Sequence, residues 1–274
     1  MGFVVREAEI PILPAGHEPI RILHFSDLHL TPTRKREIRS IETFIDLKPD
    51  LVISTGDFLG HIDAVPVVLH ALDKLLDFPG FFVFGSNDYF APKPKNPFAY
   101  LMPDKGQRVH GDPLPTHALA AGLAERGWQN VNFSRALLTI NGTCIEARGT
   151  DDAHLNRDDY SLVAGAPVDS SDIAIGITHA PYKRVLDAMQ LDGLDAIFAG
   201  HTHGGQVRLP WIGGSRALTT NCDLPTWRAR GLTHFGHEPW LNVSAGMGTS
   251  PYSPIRVASP PEVSVITLVT KQNS

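Results

Sequence analysis

Apolar positions fall in short blocks separated by polar and Gly/Pro-rich stretches. Residues 20–25, 51–55, 80–84, 136–140, 143–148, 173–178 and 194–199 read as strands, and 263–270 reads as a late strand that closes a sheet. Several of these runs are apolar without interruption, which suits strands covered on both faces. Helical spacing fits between them at 35–47, 64–76, 117–126 and 182–189. The early β-α-β-α-β order predicts an α/β protein with partly parallel pairing. The strand-rich later part suits two sheets with helices outside them. From 89 to 115 the chain turns irregular and proline-rich, a length that marks either a functional loop or a disordered one.

Composition narrows this picture. The chain has 274 residues, 42% of them hydrophobic and 19% charged, enough to bury a core and too apolar for a disordered chain. No fixed-period repeat and no Gly/Ser linker divides it, so a single domain over 1–274 is expected, with 89–115 as a lid-like segment. No apolar stretch approaches the ~18–20 residues of a membrane span. No basic start precedes an apolar block, so a cytoplasmic location is expected, with peripheral membrane association as a variant of it. A net charge of −5 gives no electrostatic case for nucleic acid. Two cysteines, Cys144 and Cys222, exclude a disulfide scaffold and a cysteine-based zinc ribbon. Thirteen histidines are many for this length, and their positions carry the functional reading.

The informative pattern lies just beyond the end of each strand. The run 20–25 leads into Ser26-Asp27-Leu28-His29, 51–55 into Gly56-Asp57, and 80–84 into Gly85-Ser86-Asn87-Asp88. The run 173–178 leads into His179-Ala180-Pro181, and 194–199 into Gly200-His201-Thr202-His203-Gly204-Gly205-Gln206. Sites in α/β sheets form beyond the carboxyl ends of strands. Any one of these endings is ordinary, because an Asp after a strand commonly caps a helix or forms a turn. Two imidazoles one residue apart on a turn have no packing rationale, and five such endings together are hard to explain as caps. Mixed carboxylate, amide and imidazole donors suit Mn, Fe or Zn better than an all-oxygen Ca or Mg site.

In this order the residues resemble the calcineurin-like metallophosphoesterase superfamily, whose motifs are Asp-x-His, Gly-Asp, Gly-Asn-His-Asp/Glu, a solitary His and Gly-His-x-His. The chain is most similar to single-domain bacterial phosphohydrolases with a Gly-His-Thr-His-Gly-Gly-Gln motif. Their C-terminal run is similar to Asn242–Ser250 followed by Pro254-Ile255-Arg256. The resemblance implies a four-layer α/β/β/α sandwich of two mixed sheets with a dinuclear metal centre at the strand ends. Carried over by position, Asp27, His29, Asp57 and His203 would hold one ion. Asp57, Asn87, His179 and His201 would hold the other, with Asp57 shared. The implied reaction is in-line attack by a metal-bridging hydroxide on a phosphodiester, pyrophosphate or phosphomonoester. The expected partner is a small phosphate ester or pyrophosphate, lipid-like molecules included.

One motif departs from the pattern. Aligning glycines puts Ser86 at the ligand Asn and Asn87 at the His; aligning amides keeps Asn87 as ligand and puts Asp88 at the His. The second register is preferred because an Asn carbonyl is the better ligand. Either way the usual catalytic imidazole is missing. Asp88 is the candidate for its role, against a plain turn residue as the alternative. His61, His110 and His154 are further stand-ins, whereas His234, His237 and the two cysteines carry no activating surroundings. A metal-retaining binding protein with little turnover is therefore the competing reading.

Overall fold

The structure, a computed structural model, describes residues 2–93, 111–211, 214–236, 238–252 and 255–271. Most of the irregular 89–115 segment, with His110, lies outside the described residues, as does His237. In chain order come β1 (Val4–Leu13), β2 (Ile20–Phe25), α1 (Lys35–Glu42), β3 (Leu51–Ser54), α2 (Val65–Leu72), β4 (Gly80–Phe82) and α3 (Ser86–Tyr89). Next are α4 (Thr116–Glu125), β5 (Gln129–Asn130), β6 (Arg135–Ile140), β7 (Thr143–Gly149), β8 (Ile173–Thr178), α5 (Lys183–Leu191) and β9 (Ala196–Ala199). The chain finishes with β10 (Arg208–Trp211), β11 (Gly214–Ala217), β12 (Gly231–His234), β13 (Trp240–Val243) and β14 (Glu262–Thr270).

Two six-stranded mixed sheets form, in the orders β1-β14-β2-β3-β4-β5 and β12-β13-β9-β8-β7-β6, with β10 and β11 as a separate hairpin. Strands β2 to β5 run parallel in the first sheet, and β7, β8, β9 and β13 run parallel in the second. Side-chain alternation sorts the layers. On β2, Ile20 and Ile22 face the second sheet, joining Ile53, Phe81, Ile145, Ile175, Ile177 and Phe198 in the central core. Leu23 and Phe25 point the other way, onto α1, α2 and α4. On the far side, Ala174, Ile197 and Ala199 meet Val185, Leu186 and Met189 of α5. The layers are therefore α/β/β/α, as the resemblance implied.

The expected helices shorten because their last turns tighten. The pattern at 35–47 is α1 plus a 3-10 turn at Thr43–Leu47, and 64–76 is α2 plus a 3-10 turn at Leu75–Asp77. Pro66 sits in the first turn of α2, where its missing N–H costs nothing. The apolar pattern did not mark β1, whose edge position tolerates Arg6, Glu7, Glu9 and Pro11 among its apolar residues. Among the described residues no helix is long and apolar enough to cross a membrane.

Candidate metal centre

Parallel strands β2, β3 and β4 of one sheet and β8 and β9 of the other deliver their C-terminal loops to the same end of the sandwich. Backbone hydrogen bonds lock these loops together: Asp27 N–H donates to Gly56 O, His29 N–H to Asp57 O, and Gly200 N–H to His179 O. The turns are sharp. Asp27, His29, Asp57, His201 and His203 all adopt left-handed backbone, with φ of 56°, 44°, 57°, 67° and 49°. Each such non-glycine residue costs roughly 1–2 kcal/mol, and strain of this kind persists where function selects it. Glycine is required where the loops touch: a Cβ on Gly85 would run into the Asp57 carboxylate and the His179 ring.

Six of the seven expected ligands converge. Asp27, His29 and His203 form one cluster, and Asp27, Asp57 and His179 another, each with donor atoms within 4.8 Å of one another. Nε2 of His29 and Nε2 of His203 face each other at 3.3 Å, and the His203 nitrogen is 3.5 Å from Asp27 Oδ1. Asp57 Oδ2 is 3.6 Å from both His29 Nε2 and His179 Nε2, between the two clusters. Asn87 donates twice to this carboxylate, Nδ2 to Oδ2 at 2.7 Å and its backbone N–H to Oδ1 at 2.8 Å. The seventh residue, His201, lies beside the cluster, its ring 5.2 Å from that of His179 and its Nε2 turned to Asn221. Its backbone N–H donates to Asp27 Oδ2 at 3.1 Å.

The donor set fits metal ions. Asp27 Oδ1 and His179 Nε2 are buried without a hydrogen-bond partner among the described residues, at a spot where unpaired polar atoms are costly. His179 Nδ1 donates to Thr55 O at 2.6 Å, which leaves the lone pair on Nε2, aimed at Asp57. Burial, then the neighbouring His203, holds His29 well below the ordinary imidazole range. Burial and then Arg256 push His203 down to about 3, and burial and then His154 lower His201. These rings are neutral, the form that binds metal. For His179, burial pulls downward, but Asp57, Asp152 and Asp27 outweigh it and raise it to about 9. Burial raises Asp27 and Asp57 as well. A cation held by Nε2 would take the place of that proton.

Asp88 is buried and serves backbone. Its Oδ2 accepts the N–H of Asp57 (2.8 Å) and Gly85 (3.0 Å), and its Oδ1 that of Phe58 (2.8 Å) and Leu59 (3.1 Å). Burial and the Asp57 charge raise its pKa to about 7, against the pull of those donors. His61 is exposed and accepts the Asp63 N–H. His154 does reach the centre: its ring centroid lies 4.4 Å from that of His201, the two rings tilted, and its Nδ1 lies 3.2 Å from the Tyr182 hydroxyl. The His234 ring lies tilted against that of Trp240, centroids 3.6 Å apart and away from the cluster, and both cysteines are half-buried. Two supporting residues were not among the site members expected from sequence. Asp152 is fully buried; its Oδ1 accepts the His154 N–H, and its Oδ2 has no hydrogen-bond partner among the described residues. Arg256 places Nη2 3.2 Å from His203 Nδ1 while donating to the Gly246 and Gly248 carbonyls. Their signals were the Asp151-Asp152 pair after β7 and the Arg ending the C-terminal run.

The calcineurin-like phosphoesterase family matches residues 20–205. The chain belongs to that family and is a hydrolase acting on phosphoester bonds; the family implies divalent metal ions, which the Asp/His clusters suit. The uncharacterized metallophosphoesterase YkoQ of Bacillus subtilis is 28% identical over 260 residues, 92% of this chain and 84% of that protein. Phosphodiesterase YaeI of Escherichia coli is 26% identical, covering 92% of this chain and 83% of its own length. UDP-2,3-diacylglucosamine pyrophosphatase LpxG of Chlamydia trachomatis is 26% identical, covering 89% of this chain and 82% of its own.

Proposed function

We propose that Asp27, His29, Asp57, Asn87, His179, His201 and His203 hold two ions, drawn from Mn, Fe or Zn, and that the chain hydrolyses phosphodiester or pyrophosphate bonds. The observation that carries this reading is the convergence of unpartnered Asp27 Oδ1 and His179 Nε2 on the Asp57 carboxylate. Two metal ions bound there would supply an activated water and cancel the charge of the phosphoryl oxygens. The protein's own contribution is positioning. Asp57 is fixed by Asn87 through its carboxylate and by Asp88 through its backbone N–H, so neither group drifts as substrate enters.

No imidazole occupies the third motif, and Asp88 has both oxygens engaged on backbone, so leaving-group protonation is not its task. Positioned acid help is worth ~10²–10⁴-fold and matters most for poor leaving groups. The substrate class that suits this centre therefore has a good leaving group, a phosphoanhydride or an activated diester. The names of the relatives, a phosphodiesterase and a pyrophosphatase, support the same class. The test is the rate with an aryl phosphodiester and a nucleoside-type pyrophosphate against a simple alkyl phosphate, with added Mn and an Asp27→Ala control. The reading requires the first two to exceed the alkyl ester by ~100-fold or more. Equal rates would assign a general acid elsewhere, with His154 the residue to change. No turnover by fully metallated protein would favour a binding role.

A further inference from the structure

Outside the metal centre, the two sheets leave a cavity of about 510 Å³ between their edge strands β1 and β12. None of the expected metal ligands lines it. Three guanidinium groups do: Arg6 from β1, Arg208 from β10 and Arg230 just before β12. We propose that this cavity is a second anion site, for a phosphate group, free or esterified, bound between Arg6, Arg208 and Arg230.

The charge balance is the first argument. The carboxylate that answers these arginines, Glu262, is wholly buried; it lies 2.5 Å from Arg6 Nε and 3.8 Å from Arg230 Nη1. Glu7 also borders the cavity, but its carboxylate pairs with Arg21 at 2.8 Å. Three positive groups against one carboxylate leave a surplus of two charges, the charge of a phosphate dianion. The arginines feel one another: after burial, Arg230 and Arg6 lower Arg208, and Arg6 lowers Arg230.

Unused donors are the second argument. Arg208 is committed, with Nε on Ser215 Oγ (2.9 Å) and Nη1 on Gly204 O (2.9 Å), so it supplies fixed charge. Arg230 Nη1, by contrast, is buried with no hydrogen-bond partner among the described residues. A buried guanidinium N–H without an acceptor is costly, and a phosphate oxygen is the acceptor its planar fork matches. The buried Asn242 amide and Ser264 hydroxyl add polar wall on the same cavity. The volume falls within the range of small-molecule sites. The site also abuts the catalytic loop. Arg208 holds the carbonyl of Gly204, next to His203, and the Arg230 Cδ lies 3.4 Å from where a Gly204 Cβ would stand.

The test is calorimetric titration of the metal-loaded protein with inorganic phosphate. The expected result is two phosphates per chain, one at the metals and one here. Arg230→Gln is expected to weaken only the second, by ~10–100-fold, and Asp27→Ala only the first. A single phosphate lost in Asp27→Ala, or two of unchanged affinity in Arg230→Gln, would overturn the proposal. Should Arg230→Gln fail to fold, Arg230→Lys keeps the charge without the fork. Several-fold weaker binding by that variant supports the site, and unchanged binding overturns it. A parallel titration with glycerol phosphate separates an ester from the free ion. Binding of either that is lost in the Arg230 variant supports the site, and binding of neither overturns it.

Discussion

Replacing Asp88 by Asn separates a positioning role from a catalytic one. The carboxylate accepts four backbone N–H groups, two on each oxygen, at 2.8–3.1 Å. An amide has one acceptor oxygen, so whichever way it turns, two buried N–H groups face an NH₂ instead of an oxygen. Each unsatisfied buried donor costs ~1–3 kcal/mol, so the loss should be about 2–6 kcal/mol. Two of those donors belong to Asp57 and Gly85, on loops that meet at the metal centre, so weaker metal retention should accompany the lost stability. The assay is urea unfolding of metal-loaded protein, run above the raised Asp88 pKa of about 7 so that the carboxylate of the parent is ionised. Metal content is measured in parallel. An Asp88→Asn protein with parental stability and metal content but activity lowered ~100-fold or more would refute this reasoning and make Asp88 an acid acting on substrate.

Two further outcomes are expected. Asn87→Ala should lose one ion and most activity while Ser86→Ala changes little, measured by metal analysis and aryl phosphodiester turnover; the opposite ranking would favour the glycine-aligned register. Burial lowers His24 from 6.5 to about 3, between Thr55 and Asn242 in the central core. A depressed histidine contributes stability that is present above 6.5 and lost as pH falls toward 3, ~5 kcal/mol over the whole gap. His24→Gln should flatten the acid limb of a plot of urea midpoint against pH, and an unchanged slope would sink the idea.

Much of this was legible from residue types. The alternation on β2 and the continuous apolar runs of β8 and β9 reported strands covered on both faces, and the polar residues after them reported the end of the sandwich where chemistry is built. What stayed hidden depends on tertiary contact. Strand β1 carries Arg6, Glu7, Glu9 and Pro11, a local pattern that reads as surface until β14 pairs with it. Asp88 and a catalytic acid look alike in sequence, since the difference lies in which N–H groups the fold brings to the carboxylate. Left-handed backbone at Asp27, His29 and Asp57, which Asp and His tolerate better than most residues, is held by cross-loop hydrogen bonds. Arg6, Arg208 and Arg230 are scattered along the chain and meet only because the edges of the two sheets lie side by side and the β10-β11 hairpin adjoins them.

The account rests on two ions sharing one carboxylate, and Asp57 is the residue that decides it. Metal content per chain, determined together with aryl phosphodiester hydrolysis for the parent and Asp57→Ala, tests this most directly. The expected result is two ions in the parent, loss of both in Asp57→Ala, and loss of turnover with them. Retention of either ion at parental occupancy in Asp57→Ala, or hydrolysis that survives their loss, would contradict the account.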